Sequence, residues 1–221
     1  MNLNKHLEFF NPVSYTKPIH IIGCGAIGSN VAVMLARLGV ERLCLWDFDT
    51  IESKNITNQA YRHQDIKKLK TIALKEILKE INPSIKITLK NKGYNKEHLT
   101  GAVFMLVDDI ELRKSFVTHW QSNPFIDYVF DARMRLTDGQ CYAAKWTDRK
   151  HQEALLNSMQ FSKAEAKKAT PVSACGTELS VNPTVYMLAA STVSNFINAI
   201  NGKELGTVIL LDAFQHTTNK F

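Results

Sequence analysis

A strand, a glycine-rich turn, a helix and a second strand follow one another near the start of the chain. Residues 18–23 and 42–47 are short apolar runs, which predict buried strands. Residues 26–38 between them predict a helix whose small residues face the first strand. A strand–helix–strand unit is typical of neighbouring parallel strands, so this stretch favours an α/β fold.

The turn between the first strand and the helix has the spacing G-x-G-x-x-G, at Gly23, Gly25 and Gly28. The first glycine permits a tight turn, the second lets the backbone approach a phosphate, and the third lets the helix pack close to the strand. Asp47 ends the second strand, where a carboxylate accepts hydrogen bonds from ribose hydroxyls. The pattern predicts a nucleotide site, and it suits NAD and ATP equally well.

The chain continues to alternate strands and helices over its first 130 residues. We therefore expect an α/β fold with a Rossmann-like, doubly wound, mostly parallel sheet, in a single domain over residues 1–221 with an N-terminal arm at 1–16. A T-D-G turn before residues 140–146 predicts an antiparallel hairpin, and hence added antiparallel strands at the C-terminal end. Further strands are predicted at 84–89, 101–107, 125–131 and 207–214, and further helices at 67–81, 110–121, 150–158 and 184–200.

Composition and charge exclude several classes of protein. Hydrophobic residues make up 45% of the 221 residues and charged residues 22%, as in ordinary globular proteins, and no apolar run is long enough to cross a membrane. The N-terminus lacks the apolar core of a signal peptide, so a cytoplasmic protein without a membrane partner is expected. The net charge of +6 suits an anionic nucleotide or an acidic partner. The basic stretches at 67–70 and 163–168 are interpreted as solvated helix faces, so no nucleic-acid partner is expected.

The four cysteines, Cys24, Cys44, Cys141 and Cys175, are widely separated and form no C-x-x-C pair. We therefore expect no zinc site built from four thiolates. Cys24 and Cys44 lie in apolar stretches and are expected in the core.

Four further stretches carry more specific information. They are D-F-D-T-I-E-S-K-N-I-T-N-Q at 47–59, a helix that starts with lysine and closes on Asn-Pro at 70–87, a strand-end aspartate followed by an arginine-bearing helix at 107–113, and a cysteine, a threonine and a long helix at 174–200. In this order they resemble the ubiquitin-activating-enzyme superfamily of ThiF, MoeB and HesA proteins, which adenylate the C-terminal glycine of a ubiquitin-like protein. The resemblance spans about residues 17–211.

The resemblance implies an adenylyltransferase that uses ATP and Mg²⁺. It implies that Asp47 holds the ribose, with Asp49 beside it. It also implies that Asn55 and Gln59 order the loop over the nucleotide. Asn58 stands in this loop where the family has an arginine that meets the phosphates. This departure weakens the case for fast turnover.

The chemistry of the reaction requires two further groups, a cation and a ligand for Mg²⁺. Carboxylate adenylation builds negative charge around the α-phosphorus, which cations must stabilise. Lys70 is the candidate cation, and Asp108 is the candidate Mg²⁺ ligand because Mg²⁺ prefers a carboxylate with phosphate oxygens and water. The alternatives are that Lys70 is an ordinary exposed lysine, that Asp108 or Asp109 caps the next helix, and that Arg113 pairs with Asp109.

Two arginines are candidates for the missing charge. Arg62 lies four residues after Asn58, and Arg133 lies at a strand end near the expected nucleotide. Arg133 either reaches the acyl-phosphate region or pairs with Asp131. The family also brings an arginine from the partner subunit's N-terminal segment, and the corresponding segment of this chain has lysines only.

Cys175, in a crossover loop at 159–183, matches the position at which some family members form a thioester or a persulfide-linked intermediate. A nucleophilic cysteine needs exposure and a lowered pKa. The alternative is a cysteine that packs beside the long helix.

The sequence thus predicts Mg²⁺·ATP-dependent adenylation of the C-terminal carboxylate of a small ubiquitin-like or sulfur-carrier protein or peptide, with transfer to Cys175 as an option. A homodimer is expected, as in the family. Two alternatives remain open. One is a catalytically degenerate nucleotide-binding scaffold of the same family, and the other is an NAD-dependent oxidoreductase, for which we find no acid–base residue.

Overall fold

The structure is a computed structural model that describes residues 1–174 and 177–221. Cys175, the predicted nucleophile, lies outside the described residues. In chain order the strands are β1 (Ile19–Ile22), β2 (Arg42–Trp46), β3 (Lys86–Lys90), β4 (Gly101–Met105), β5 (Ile126–Met134), β6 (Asp138–Lys145), β7 (Val208–Asp212) and β8 (Thr217–Lys220). The α-helices are α1 (Ala26–Arg37), α2 (Lys70–Ile81), α3 (Ile110–Trp120), α4 (Arg149–Asn157), α5 (Lys163–Ala169) and α6 (Asn182–Ile200).

The strands form one mixed sheet in the order β3-β2-β1-β4-β5-β6-β7-β8. The five strands from β3 to β5 run parallel, and β6, β7 and β8 each pair antiparallel with the preceding strand. The predicted Rossmann-like sheet with antiparallel strands at the C-terminal end is confirmed. The strand order reverses between β1 and β4, which opens a crevice at their carboxyl ends.

Helices cover both faces of the sheet. The larger core lies between one face and α1, α2 and α6, and the smaller core lies between the other face and α3 and α4. In the larger core α6 supplies Leu188 and Phe196, which pack beside Phe104 and Phe130 from the central strands. This arrangement holds the carboxyl ends of β1, β2 and β4 at one edge of a rigid sheet.

Several predicted boundaries shift because of contacts distant in the sequence. The helix predicted at 67–81 begins only at Lys70, because Lys67 has a left-handed φ of 73° and donates its N–H to Ile51 O. β5 continues to Met134 because its residues from Tyr128 to Met134 pair with β6. The polar strand β8 was not predicted, and it forms by pairing with β7 at the edge of the sheet.

The N-terminal segment packs against the long helix. Phe10 and Tyr15 are buried, and their rings lie 6.2 and 5.5 Å from the ring of Phe196 in α6. The Tyr15 hydroxyl donates to Asp127 at 2.9 Å. Part of the segment expected as an arm therefore contributes to the core.

The burial of two cysteines confirms the sequence interpretation. Cys24 and Cys44 are buried, as expected from their apolar stretches. Among the described helices, none combines the length and the apolar character needed to cross a membrane.

Candidate functional site

The glycine turn joins β1 to α1 at the crevice. Gly23 has a φ of 95°, and a Cβ there would lie 2.7 Å from Leu106 O, so only glycine fits. A Cβ on Gly28 would lie 1.9 Å from Gly23 O, which shows how closely the helix approaches the turn. A Cβ on Gly25 would meet nothing within 4 Å. The turn is therefore closed on two sides and open over Gly25.

The opening over Gly25 faces the start of α1. Gly25 is the N-cap of the helix and supplies no side-chain cap. The first N–H groups of a helix have no acceptor within the helix, and they carry the positive end of its dipole. The space and the donors at Gly25 fit a phosphate.

Asp47 follows β2 and lies directly beside this turn. Its Oδ2 accepts from Cys24 N at 2.8 Å, and its Oδ1 accepts from Asp49 N at 2.8 Å. The carboxylate thus ties the glycine turn to the next loop, at the place where the sequence predicted a ribose acceptor.

Lys70 and Asp49 form an ion pair at the same place. Lys70 Nζ lies 2.7 Å from Asp49 Oδ2, and Lys70 N donates to Asp49 O at 2.9 Å. The Lys70 side chain is only 9% exposed, so the interpretation of an ordinary exposed lysine is wrong. Asp49 N donates to Asp47 Oδ1, and Asp47 accepts from Cys24 N, so the ion pair lies next to the turn. Burial is the main cause that raises the pKa of the Cys24 thiol.

The loop after Asp49 folds back over α1. Asn55 Oδ1 accepts from Glu52 N at 2.8 Å, and Asn55 O accepts from Gln59 N at 3.0 Å, so both predicted loop residues lie in one compact turn. Asn30 in α1 donates to Asn58 O at 3.1 Å. These contacts hold the loop against the helix that starts at the glycine turn.

Tyr61 is a residue of this site that the sequence analysis missed. Its hydroxyl donates to Cys24 O at 2.7 Å from a buried position. Ala60 N donates to Ser29 Oγ at 3.0 Å beside it. No sequence signal marked Tyr61, because its partner lies 37 residues away.

Arg62 does not replace the missing phosphate-binding arginine. It binds Asp65 and Glu80, with Nε–Oδ2 and Nη1–Oε1 distances of 2.9 and 2.8 Å. Asn58 donates through Nδ2 to Ser180 Oγ at 2.7 Å. Asn58 is thus linked to the segment that follows Cys175.

Asp108 follows β4, beside the switch point. It is exposed, whereas Asp109 caps α3 by accepting from Glu111 N and Leu112 N. The prediction that one of the two aspartates is an N-cap is confirmed for Asp109. Asp108 remains available to solvent at the edge of the crevice.

Arg113 of α3 pairs with Asp131 of β5, so the alternative pairing of its side chain with Asp109 is wrong. Its guanidinium donates to Val107 O and to the buried Asp131. Burial inside the fold turns the side chain away from the helix surface. The contact to Val107 fixes the backbone directly before Asp108.

Arg133 binds the same aspartate, and its main contact is to the carboxylate oxygen that Arg113 also binds. Its Nε lies 2.8 Å from Asp131 Oδ1, and its Nη1 and Nη2 donate to Ser158 O and Oγ. Its guanidinium carbon lies 4.4 Å from the ring centre of Tyr142. The structure thus favours the pairing alternative for Arg133 over a reach to the acyl-phosphate region.

The described cysteines and carboxylates limit the chemistry further. Burial raises the pKa of Cys44 and of Cys141 to about 11, so these thiols stay protonated. In residues 1–174 and 177–221, no three His, Cys, Asp or Glu side chains are grouped closely enough to hold a metal ion. A single carboxylate such as Asp108 fits Mg²⁺ only where phosphate oxygens and water complete the shell.

Comparisons with known proteins agree with this fold. A model of the ThiF family matches residues 15–221. Ubiquitin-like modifier-activating enzyme 5 of Dictyostelium discoideum is 38% identical over 87 residues, which are 38% of this chain and 23% of that protein. The Arabidopsis thaliana protein of the same name is 40% identical over 67 residues, which are 30% of this chain and 16% of that protein. The matched segment is thus about a fifth of these relatives' length.

Solved structures resemble the chain over most of its length. The crystal structure of PaaA has a TM-score of 0.72 at 16% identity, and the match covers 99% of this chain and 71% of the PaaA chain. The structure of Escherichia coli MccB with ATP has a TM-score of 0.71 at 19% identity, and the match covers 95% of this chain and 65% of the MccB chain. At these identities the likeness concerns the fold.

Proposed function

The chain belongs to the ThiF family, and we propose that it uses Mg²⁺·ATP to adenylate the C-terminal carboxylate of a small ubiquitin-like or sulfur-carrier protein or a peptide. One observation carries the proposal. The space over Gly25 at the start of α1 is flanked by Asp47 and by the Lys70–Asp49 pair. An acceptor for ribose, donors for phosphate and a nearly buried cation are the groups that the reaction requires.

Each residue has a defined task in this mechanism. Asp47 accepts from the ribose hydroxyls, and the first N–H groups of α1 donate to the phosphates. Lys70 donates from Nζ to phosphate oxygens, and Asp49 holds that ammonium in place beforehand. Asp108 is the residue that would bind Mg²⁺, whose charge stabilises the phosphates during the reaction.

The carboxylate of the acyl substrate attacks the α-phosphorus, and pyrophosphate leaves. Lys70 stabilises the negative charge that builds on the phosphate oxygens. The Arg113 contact to Val107 O keeps Asp108 at the edge of the crevice. Arg133 acts here through Asp131, as a positioning residue for this edge of the sheet.

A protein or peptide substrate is supported by the similar proteins. Two relatives are named ubiquitin-like modifier-activating enzyme 5, and MccB has been solved together with MccA. We extend the proposal to one domain over residues 1–221 whose loop at 159–183 brings Cys175 to the adenylate. We also propose a C2 homodimer, since such dimers are the commonest symmetric assemblies. Analytical ultracentrifugation tests the dimer.

A degenerate scaffold is the second candidate function. It is favoured by Asn58, whose amide binds Ser180, and by Arg62 and Arg133, which are both held by carboxylates. Such a protein binds ATP and does not exchange pyrophosphate.

Thermal unfolding with Mg²⁺·ATP and, in parallel, with NAD(H) tests the proposal. ATP at about 100 times its dissociation constant should stabilise the fold by roughly 2.7 kcal/mol, and Asp47→Ala should abolish the effect. Stabilisation by NAD(H) alone would overturn the proposal in favour of an oxidoreductase. ATP-dependent exchange of labelled pyrophosphate, stimulated by a peptide ending in Gly-Gly, then separates the enzyme from the scaffold.

A further inference from the structure

The whole excess of positive charge lies in one segment of the chain. Residues 63–96 contain nine lysines and three acidic residues, so they carry +6. The remaining residues contain eighteen basic and eighteen acidic side chains and are neutral together. The segment includes α2 and β3, and β3 is an edge strand, so the charge is concentrated at one edge of the sheet.

Part of this charge projects from the side of β3 that faces away from α2. Ile87 and Leu89 pack against the larger core, in which α2 takes part. Because side chains alternate along a strand, Lys86, Thr88 and Lys90 share the opposite side. Lys86 and Thr88 are exposed, and residues 91–100 continue from β3 to β4 without a helix.

Arg42 extends this side of the sheet onto β2. It lies directly opposite Lys86 in the strand register and is also exposed. Two like charges on neighbouring strands repel each other. Among the ion pairs of the described residues, none includes Arg42, Lys86 or Lys90. Among the described residues, no carboxylate therefore lies within ion-pair distance of these three side chains.

Lys90 extends the row of positive charges to the candidate site. Its ammonium lies 5.4 Å from the ring centre of Trp46, and its carbonyl accepts from Asp47 N at 3.2 Å. We name this surface the basic sheet face, and it consists of Arg42, Lys86, Thr88 and Lys90. It runs along the edge strand and ends beside the carboxylate at the glycine turn.

We propose that the basic sheet face docks an acidic polypeptide. Carboxylates placed over Arg42 and Lys86 would supply the counter-charge that these side chains lack among the described residues. The outer edge of β3 also offers the alternating N–H and C=O groups of an edge strand, which an extended polypeptide matches and a nucleic-acid backbone does not. The partner is thus an acidic protein segment, bound in addition to the nucleotide.

The test uses two double charge reversals that change the net charge equally. Arg42→Glu with Lys86→Glu changes the basic sheet face and keeps a like-charged pair across the strands. Lys167→Glu with Lys168→Glu changes two exposed lysines of α5, which is the matched control. The probe is a fluorescent Thr-Glu repeat peptide of about ten residues, a length that covers one strand. Binding is followed by anisotropy at low ionic strength, with single-stranded oligothymidine as the competing probe.

We expect the wild type and the α5 variant to bind the peptide within about twofold of each other, and the face variant to bind about tenfold more weakly. Equal losses in both variants, no binding by the wild type, or tighter binding of oligothymidine would each overturn the proposal. The single variant Arg42→Glu distinguishes a loss of peptide binding from a loss of folding. It places a carboxylate opposite Lys86, so it should raise the melting temperature while it weakens peptide binding.

Discussion

Asn58 donates from Nδ2 to Ser180 Oγ at 2.7 Å, across 122 residues of chain. The contact joins the loop over α1 to the segment that follows Cys175. The family resemblance implies an arginine at the position of Asn58, and in this chain Asn58 forms a side-chain hydrogen bond there instead.

A double-mutant cycle of Asn58→Ala and Ser180→Ala should show a coupling free energy of about 1 kcal/mol, because a neutral hydrogen bond contributes about that much to stability. Urea unfolding measures it. Asn58→Arg should lose the coupling and raise pyrophosphate exchange, because it adds a cation near the phosphates. If the changes in unfolding free energy of the two single variants simply add in the double variant, the Asn58–Ser180 hydrogen bond does not contribute to stability.

Gly25→Ala and Gly28→Ala should separate binding from folding. The methyl group at position 25 meets no atom within 4 Å, so the free energy of unfolding should change by less than about 0.5 kcal/mol while ATP stabilisation falls. The methyl group at position 28 collides with Gly23 O and should cost about 1–3 kcal/mol or more. Thermal unfolding with and without ATP measures both. Full ATP stabilisation of Gly25→Ala would contradict the phosphate assignment.

Lys70→Met should lower pyrophosphate exchange by about 10²–10³, the usual effect of losing one stabilising group at a developing charge. Folding should change little, because Asp49 is 51% exposed and water replaces its partner. Lys75→Met is the control, since Lys75 is exposed on the same helix. Equal exchange rates in the two variants would refute the assigned role of Lys70.

Asp131→Asn should destabilise the fold by about 3–5 kcal/mol, because it leaves the buried Arg113 guanidinium without its counter-charge. The exposed pair Arg135–Asp138 provides the comparison, and Asp138→Asn should cost no more than about 1 kcal/mol. Urea unfolding gives both values. Similar losses would mean that burial contributes little at Asp131.

His20 should make stability depend on pH. Burial is the main cause that lowers its pKa to about 4, and the charge of Lys90 acts in the same direction. The unfolded chain binds this proton below about pH 6.5, whereas the folded chain does so only near pH 4, so stability is complete above pH 6.5 and falls by about 3 kcal/mol as the pH drops towards 4. His20→Gln should flatten that slope in urea unfolding between pH 4.5 and 7. If the stability of the wild type and of His20→Gln changed equally with pH, the pH dependence would not come from His20.

Local patterns were enough to predict the type of fold and the place of the site. The glycine spacing, the acid at the end of β2 and the alternation of strands and helices depend on neighbours within about one turn or one strand, so their physics can be read along the chain. Asp47 lies at the glycine turn where these patterns predicted, because the carboxyl ends of β1 and β2 share one edge. Asp49 and Lys70, which the family resemblance indicated, lie beside it and form an ion pair.

The sequence by itself therefore determined an α/β fold with a nucleotide-type turn and its main acid. Only the tertiary structure decided that Arg113 of α3 pairs with Asp131 of β5. It also decided that Phe10 enters the core and that Arg42 faces Lys86. Such contacts join residues distant in the chain, and their free energy depends on burial and on strand register, which no local spacing encodes.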